Sequence, residues 1–194
     1  MSIYFLRHIK TVDNLLGKIS GSSDSDILPE QSLCISCMMT ERFDQIYCSP
    51  IQRCRDTIAL LPTSMQKNLS FIPCLKERSL GILEGMNRTE AMQQFPHLFE
   101  NKKLKVYAQI PGGESIGDVQ RRISGFVDIL LTNKDRQILV CSHNQTLKIL
   151  LAEIIGISIT DAYWQSVNFH NGEIICVDHF AQSIGINTLH IGNF

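Results

Sequence analysis

The chain has 194 residues, 44% of them hydrophobic, which favours one domain able to bury about 70% of its unfolded surface. Its formal net charge of −1 at pH 7 argues against a general binder of nucleic acid or membrane surfaces, because such proteins carry a basic field or a polybasic run. No apolar run reaches the roughly 18 to 20 residues that a membrane helix needs. From the net charge and the absence of such a run together, we expect neither a nucleic-acid nor a membrane partner.

The first predicted strand covers residues 3–6, four consecutive apolar residues typical of a strand buried on both faces of a parallel sheet. Arg7 and His8 follow it directly. Open α/β sheets bind ligands outside the carboxyl ends of their strands. An arginine suits an anionic group of oxygens, and a histidine can act as a nucleophile or proton carrier. The start of a solvated loop is the alternative interpretation of this dipeptide.

Residues 13–30 are rich in Gly, Ser and Asp, which predicts a long surface loop of the kind that is usually functional. Apolar residues at helical spacing then predict a helix over 30–43, with Cys34 and Cys37 on one buried face. No second pair matches them, so a metal site is not expected there. The seven cysteines form no regular framework, and the chain opens with a strand rather than a signal sequence. We therefore expect free thiols and a cytoplasmic protein.

A second strand is predicted over 45–48, followed by a helix that begins at Pro50 and ends near residue 61. Arg53 falls in the first turn of this helix. A cation there opposes the helix dipole, so its presence is easier to understand if an anion binds between them.

A third strand is predicted over 69–72, and the loop after it carries two carboxylates, Glu77 and Glu84. Asn87 then begins a helix as its N-cap residue. From there to residue 110 the chain is irregular and mostly polar, which predicts a small helical lid over about 86–110.

The turn 111–115 precedes an amphipathic helix over 116–131, and a fourth strand over 137–141 ends in Ser142 and His143. A helix over 145–155 follows. The dipeptide Asn171-Gly172 predicts a hairpin that pairs residues 167–170 with 173–178. A last strand near 186–191 completes the sheet edge.

Strands that alternate with helices predict a mostly parallel sheet, in which the loops after successive strands converge at one edge. The residues that these loops bring together are Arg7, His8, Arg53, Glu77 and His143. Such a group suits phosphoryl transfer through a histidine. The arginines hold phosphate oxygens, one histidine attacks, and the glutamate gives a proton to the leaving oxygen.

These motifs resemble those of the histidine phosphatase superfamily, the phosphoglycerate mutase-like proteins, over about positions 4–172. The matching segments are Leu6-Arg7-His8 with Thr11 and Asn14, Ser20-Gly21 with Asp24, 48–57, Glu77 with Gly81 and Glu84-Gly85, 111–115, and Ser142-His143. The resemblance implies an α/β fold. Its architecture would be a three-layer, doubly wound, mostly parallel sheet with an antiparallel edge and a small helical lid, in a single domain over 1–194.

The resemblance also implies a role for each residue. His8 would be the nucleophile that becomes phosphohistidine, and Glu77 would be the proton donor and then the base for water. The residues that would clamp the phosphoryl group are Arg7, Arg53 and His143, with Asn14 as an extra contact. Arg78 and Lys10, together with the lid, would contact the rest of the substrate. Neither a metal nor another cofactor is implied.

Three positions depart from the family pattern. Ile9 and Lys10 stand where the family usually has Gly followed by Glu or Gln. If residue 9 needs positive φ, a β-branched side chain is costly there and the loop shifts. Asn144 replaces a glycine after the second histidine, a milder change because Asn tolerates a left-handed conformation. Lys10 either binds a second substrate phosphate or points to solvent.

Only about 25 residues separate Gly85 from Pro111, and glycolytic phosphoglycerate mutases carry larger insertions there. The resemblance therefore favours a metal-independent phosphatase that hydrolyses a small phosphorylated metabolite. A mutase and a non-catalytic phosphate-binding relative are the alternatives. The sequence leaves a homodimer open.

Overall fold

The computed structural model describes residues 2–28, 42–132, 137–180 and 183–189, and the side chains among them up to residue 177. The helix predicted over 30–43, with Cys34 and Cys37, falls almost entirely outside these residues. Within them, the cysteines are free thiols: Cys48, Cys54, Cys74, Cys141 and Cys176.

The described chain alternates between strands and helices. The strands are β1 (Ser2–Arg7), β2 (Gln45–Cys48), β3 (Leu69–Phe71), β4 (Phe99–Glu100), β5 (Lys103–Leu104), β6 (Gln137–Ser142), β7 (Ile174–Phe180) and β8 (Ser183–Leu189). The helices are α1 (Val12–Leu15), α2 (Gln52–Ala59), α3 (Arg88–Gln94), α4 (Ile116–Thr132), α5 (Asn144–Ile155) and α6 (Asp161–Ser166). Short 3₁₀ turns cover Thr63–Asn68, Pro73–Leu75, Gly81–Leu83 and Pro96–Leu98.

The main sheet has the strand order β3-β2-β6-β1-β7-β8 among the described residues. Strands β3, β2, β6 and β1 run parallel, whereas β7 is antiparallel to both of its neighbours. This is the mostly parallel sheet with an antiparallel edge that the sequence predicts.

Helices cover both faces of this sheet, and alternate side chains of β1 therefore pack in two different cores. Phe5 packs in one core with α4 and α5, through Ile123 and Leu147 among others. Leu6 packs in the other core with Ile58 of α2. The sheet therefore forms the middle of three layers, and the prediction of a strand buried on both faces is confirmed.

The prediction of a hairpin around Asn171-Gly172 is wrong. Residues 167–170 form no strand, and β7 pairs instead with β1 and with β8, which lies near the predicted last strand. Gly172 does adopt positive φ, at 74°, and its N–H donates to the carbonyls of Arg7 and His8 at 3.1 and 3.2 Å. The Asn-Gly turn therefore closes over the loop that follows β1.

The segment 86–110 contains α3, capped by Asn87, and a small β4–β5 hairpin that the sequence did not predict. The N-terminal end of this segment is held by two backbone hydrogen bonds, from Ile19 N to Met86 O at 2.9 Å and from Arg88 N to Gly17 O at 3.0 Å. A small separate core joins Leu80, Leu83 and Ile19 to four buried side chains of this segment: Ala91, Leu98, Ala108 and Ile110. Its role as a lid and the single-domain organisation stay predictions.

No helix in the described ranges has both the length and the apolar character needed to cross a membrane.

Candidate active site

The parallel strands β2, β6 and β1 are neighbours, and the polar residues that follow them lie together at one edge of the sheet. The ring centroids of His8 and His143 are 5.2 Å apart. Arg53 Nε lies 3.1 Å from His143 Nδ1. Glu77 accepts hydrogen bonds from the first turn of α5, which begins directly after His143. The structure therefore brings the sequence-predicted residues together.

His8 is held in one tautomer by its own loop. Its side chain is 4% exposed, and Nδ1 lies 2.7 Å from the carbonyl oxygen of Ile9. Because a carbonyl oxygen only accepts, Nδ1 carries the proton and Nε2 keeps its lone pair. Burial lowers the pKa of His8 well below 6.5, and the charges of Arg53 and Arg7 lower it further. Nε2 is therefore a neutral nucleophile at neutral pH.

His143 is fixed in the opposite tautomer. Arg53 Nε can only donate, so His143 Nδ1 is its acceptor, and the proton lies on Nε2, 2.8 Å from Ser49 Oγ. Burial lowers the pKa of His143 well below 6.5, and the nearby charges of Arg53 and Arg7 act in the same direction. Ser49 is thus a positioning residue for His143, a contact that its place before Pro50 in the segment 48–57 does not reveal.

Arg53 is 2% exposed and fastens the loop 13–28 to the site. Its guanidinium donates to Gly21 O at 2.7 Å and to Ser23 O. At the start of its helix, the Asp24 carboxylate accepts from Gln52 N at 2.9 Å. The bound anion expected beside Arg53 stays a prediction. Arg53 is therefore oriented by the loop on one side and by His143 on the other.

Arg7 is oriented from the opposite side of the site. One terminal nitrogen donates to Phe169 O at 2.7 Å. Its Nε is the one buried side-chain nitrogen or oxygen in the described residues that has no hydrogen-bond partner. A phosphoryl oxygen is an acceptor whose charge matches this group.

Asn144 acts on Arg7 through Phe169. Its Oδ1 accepts from Phe169 N at 3.0 Å, and the carbonyl of the same Phe169 receives the Arg7 donor. Asn144 begins α5 and has no positive φ, so it does not need the freedom of the glycine that it replaces. The structure gives this departure a positioning role.

Glu77 lies at the N-terminus of α5, where backbone N–H groups favour a carboxylate. Its Oε1 accepts from Arg78 N at 3.0 Å and from Thr146 N at 3.1 Å. Its Oε2 accepts from Gln145 N at 3.3 Å. Oε2 therefore accepts fewer hydrogen bonds than Oε1.

The structure corrects the expectation that Arg78 contacts substrate. Its side chain has no exposed surface and donates to Glu114 O at 2.7 Å, Ala108 O at 3.1 Å and Gln145 Oε1 at 3.3 Å. A further bond reaches Val106 O at 3.4 Å. Arg78 therefore joins the second end of the segment 86–110 to the turn 111–115 and to α5. A buried guanidinium needs such acceptors to offset its desolvation.

Asn14 lies beside the loop that carries His8. Its Oδ1 accepts from Thr11 N and from Asn171 Nδ2, each at 3.2 Å, and the same amide of Asn171 also donates to His8 O. Lys10 is partly buried, and its carbonyl accepts from Leu28 N at 2.9 Å. Substrate contacts from Asn14 and Lys10 stay predictions.

Ile9 does not strain the loop. Among the described residues, positive φ outside glycine occurs at Asn101 and Lys102, so position 9 needs no glycine. The side chain is buried in the core that contains Leu6, and its N–H donates to Thr57 Oγ1 at 3.1 Å. Thr57 thus ties the loop of His8 to α2, a contact that spacing alone does not reveal.

The two carboxylates of the loop 75–85 have different tasks. Whereas Glu77 faces α5, Glu84 accepts from Ser22 N at 3.0 Å and from Leu80 N at 2.8 Å. Gly21 has φ of 49°, and a Cβ there would lie 2.3 Å from Glu84 Oε1. Glu84 therefore holds two loops in close contact.

The thiol of Cys54 also lies near the histidines, 3.5 Å from His143 Nε2. Burial raises its pKa, so it stays protonated at neutral pH. Within the described residues, no group of three or more His, Cys, Asp and Glu side chains is placed to hold a metal ion.

The lowered pKa values of His8 and His143 make folding pH-dependent. Below about pH 6.5 the unfolded chain protonates both rings while the native chain keeps them neutral, so the free energy of unfolding decreases as the pH falls. We expect each ring to contribute a slope of up to about 1.4 kcal/mol per pH unit. Urea unfolding between pH 7 and pH 5 measures this slope. It should be smaller in His143→Gln, and an equal slope in that variant would contradict the assignment.

Two kinds of comparison identify relatives of this chain. The family model described as "Histidine phosphatase superfamily (branch 1)" matches residues 3–191. A Schizosaccharomyces pombe protein named as a probable phosphatase is 30% identical over 161 residues, which cover 77% of this chain and 71% of the relative. Wheat 2-carboxy-D-arabinitol-1-phosphatase is 25% identical over 161 residues. That match covers 80% of this chain, which spans only 32% of the wheat protein.

A solved structure shows the same fold. The α-ribazole phosphatase of Shigella flexneri superposes with a TM-score of 0.81 and 22% sequence identity, over 97% of this chain and 96% of that chain. This likeness extends to the whole architecture of the sheet and its covering helices.

Proposed function

Because this chain belongs to the histidine phosphatase superfamily (branch 1), we propose that it hydrolyses small-molecule phosphomonoesters through a phosphohistidine intermediate on His8. Its family and its phosphatase-named relatives make it a phosphatase. The intermediate, the size of the substrate and the roles of single residues are the proposal.

The observation that carries this proposal is the state of His8. Its Nδ1–H is bound to Ile9 O, which leaves Nε2 as the nucleophilic nitrogen. The guanidinium groups of Arg7 and Arg53 lower its pKa through their charges, so they lie close enough to act electrostatically on a group bound to it. A neutral nucleophile among fixed cations suits attack on an anionic phosphoryl group.

In the first step, His8 Nε2 forms a bond to phosphorus and the bond from phosphorus to the alcohol oxygen breaks. Glu77 gives its proton to that oxygen, so the alcohol leaves neutral. Arg7 and Arg53 stabilise the negative charge on the phosphoryl oxygens during the transfer. The unpartnered Nε of Arg7 gains an acceptor in this state.

In the second step, water attacks phosphorus and the bond from His8 Nε2 to phosphorus breaks. The Glu77 carboxylate takes a proton from the water, which restores the acid for the next cycle. The products are inorganic phosphate and free His8. The hydrogen bonds of Oε1 to Arg78 N and Thr146 N keep the carboxylate in place in both steps.

The short connection between Gly85 and Pro111 supports a phosphatase over a mutase. A small phosphorylated metabolite in the cytoplasm is the partner that we propose, and the free thiols of the described cysteines support a reducing compartment.

Rapid quenching tests the intermediate. We expect the enzyme in EDTA to hydrolyse p-nitrophenyl phosphate and, when quenched during turnover of a ³²P-labelled ester, to carry an acid-labile, alkali-stable label on the peptide that contains His8. Enzyme mixed with labelled substrate after the quench is the control. Turnover without a label on His8, or with the label on another residue, would overturn the proposal.

A further inference from the structure

A cavity of about 380 Å³ opens beside the proposed reaction centre. Arg7 and the first residues of α5 line one side of it. Arg88 and Lys103, from the segment 86–110, line another, and Lys148 of α5 lies near Trp164 of α6. Arg7 thus belongs both to this cavity and to the group of residues around His8. A substrate held at His8 would place the rest of its alcohol here.

We propose that this cavity binds a second anionic group, a carboxylate or a phosphate, carried by the alcohol part of the phosphomonoester. This inference rests on the proposed function and names the substrate class for the same site. The cavity volume lies in the range of small-ligand sites, about 300–1,000 Å³, and near its lower end. It therefore has room for a small alcohol together with its anionic group.

Charge is the first argument. The cavity lining contains four cationic side chains, Arg7, Arg88, Lys103 and Lys148, and no carboxylate among the described residues. The salt bridges in the described part of the chain, Arg121–Asp118 and Arg122–Glu114, leave these four cations out. Like charges that share a concave site repel one another, and a bound anion relieves that repulsion.

Lys148 is the second argument, because it is buried where a lysine is costly. Its side chain is 6% exposed, Nζ donates to Trp164 O at 2.9 Å, and it lies 4.9 Å from the centre of the Trp164 ring. Burial and the charges of Lys103 and Arg7 lower its pKa to about 8, against the opposite effect of Glu77. A carboxylate or phosphate in the cavity supplies the negative charge that this ammonium group lacks.

The other two cations come from a different part of the chain, the segment 86–110. Arg88 begins α3 and Lys103 begins β5, and both side chains are exposed. Two exposed cations and the buried Lys148 line the same cavity, so an anion bound there would balance their charge, whereas a neutral alcohol would not. The arrangement therefore discriminates by charge.

Matched esters test the inference. The phosphate ester of 3-hydroxypropanoate and propyl phosphate differ by one carboxylate, and propane-1,3-diol bisphosphate carries a second phosphate instead. We expect kcat/KM for at least one of the two esters with a second anionic group to exceed kcat/KM for propyl phosphate by about tenfold or more. This is the effect of one charge-assisted hydrogen bond. Comparing the two probes distinguishes carboxylate from phosphate.

Two substitutions locate the effect. In Lys148→Met the preference over propyl phosphate should fall about tenfold, and in the exposed Lys103→Met it should fall about threefold. The second variant keeps the test decisive if the buried substitution fails to fold. Lys105→Met, on the same segment but outside this cavity, is the control and should keep the full preference.

The pH dependence of this preference separates a binding role of Lys148 from a purely structural one, because a purely structural lysine would not change it. Because kcat/KM reports the free enzyme, the preference should decline above about pH 8 as Lys148 loses its proton. The charged groups that act on Lys148 are Lys103, Arg7 and Glu77, and Arg88 lines the same cavity. The decline should be absent in Lys148→Met.

The outcomes separate the two proposals. Equal kcat/KM for all esters, or an unchanged preference in both lysine variants, would overturn the inference while hydrolysis through His8 stands. Absence of hydrolysis of every ester would overturn the proposed function and the inference with it.

Discussion

Replacing His8 with alanine is expected to lower kcat for p-nitrophenyl phosphate by about 10⁴-fold or more, the scale seen when a catalytic nucleophile is removed. The alanine variant lacks the only atom that forms a bond to phosphorus in the proposed first step. Neither His143, whose Nδ1 accepts from Arg53, nor the protonated Cys54 is available to replace it. Steady-state hydrolysis in EDTA near pH 6.5 measures the loss.

Two controls separate lost chemistry from lost structure. His97→Ala removes an exposed histidine outside the site and should keep wild-type activity. His8→Ala itself keeps Arg7 and Arg53, so inorganic phosphate should still raise its Tm. Retention of a tenth of wild-type activity by a folded His8→Ala protein would exclude His8 as the nucleophile.

Replacing Glu77 with glutamine is expected to have the second largest effect, and the effect should depend on the leaving group. With an alkyl phosphate such as propyl phosphate, kcat should fall about 10²–10⁴-fold, because the departing alkoxide needs a proton. With p-nitrophenyl phosphate the first step should be nearly unaffected, since the nitrophenolate leaves without protonation. The second step still needs the base, so phosphoenzyme should accumulate.

Stopped-flow measurement of nitrophenolate distinguishes these steps. The Glu77→Gln variant should release a rapid burst of about one equivalent per enzyme, followed by slow turnover. Glu90→Gln changes an exposed carboxylate of α3 and should behave as the wild type. If Glu77→Gln slows both kinds of ester equally and gives no burst, Glu77 is not the proton donor.

The sequence was sufficient for the sheet and for the position of the site. Residues 3–6 and 137–141 are nearly unbroken apolar runs, which are typical of strands in a sheet covered on both faces, and both were confirmed as strands of the parallel part of the sheet. Once the sheet is parallel, the residues after its strands must meet at one edge. A parallel sheet therefore predicts that His8 and His143 lie at the same edge, and the strand order of the structure makes β1 and β6 neighbours.

Arg78 shows why the remainder could not be predicted. In the sequence it stands beside Glu77 in a polar loop, as a residue that contacts substrate would. Three of its four acceptors are the main-chain carbonyls of Val106, Ala108 and Glu114, which lie about 30 residues away. Carbonyl groups have no side-chain identity, so no pattern of residue types reveals such contacts.

The turn at Asn171-Gly172 failed for a related reason. The dipeptide indicates a local chain reversal, and Gly172 does adopt positive φ. Whether the flanking residues form strands depends on which strand is available for pairing. Here β7 pairs with β1 and not with residues 167–170. Local turn chemistry was predictable, but the pairing partner was decided by tertiary structure.

The segment 86–110 is fastened at both ends and open in the middle. Hydrogen bonds at Met86 and Arg88 hold one end, Arg78 holds the other, and the turn at Asn101 and Lys102 is exposed. Exposed tips of this kind tolerate insertion and exchange. Recognition of the alcohol can therefore diverge through changes at the tip, next to Lys103, while the residues at the sheet edge are inherited unchanged. The fold separates the part that evolution can vary from the part that it must keep.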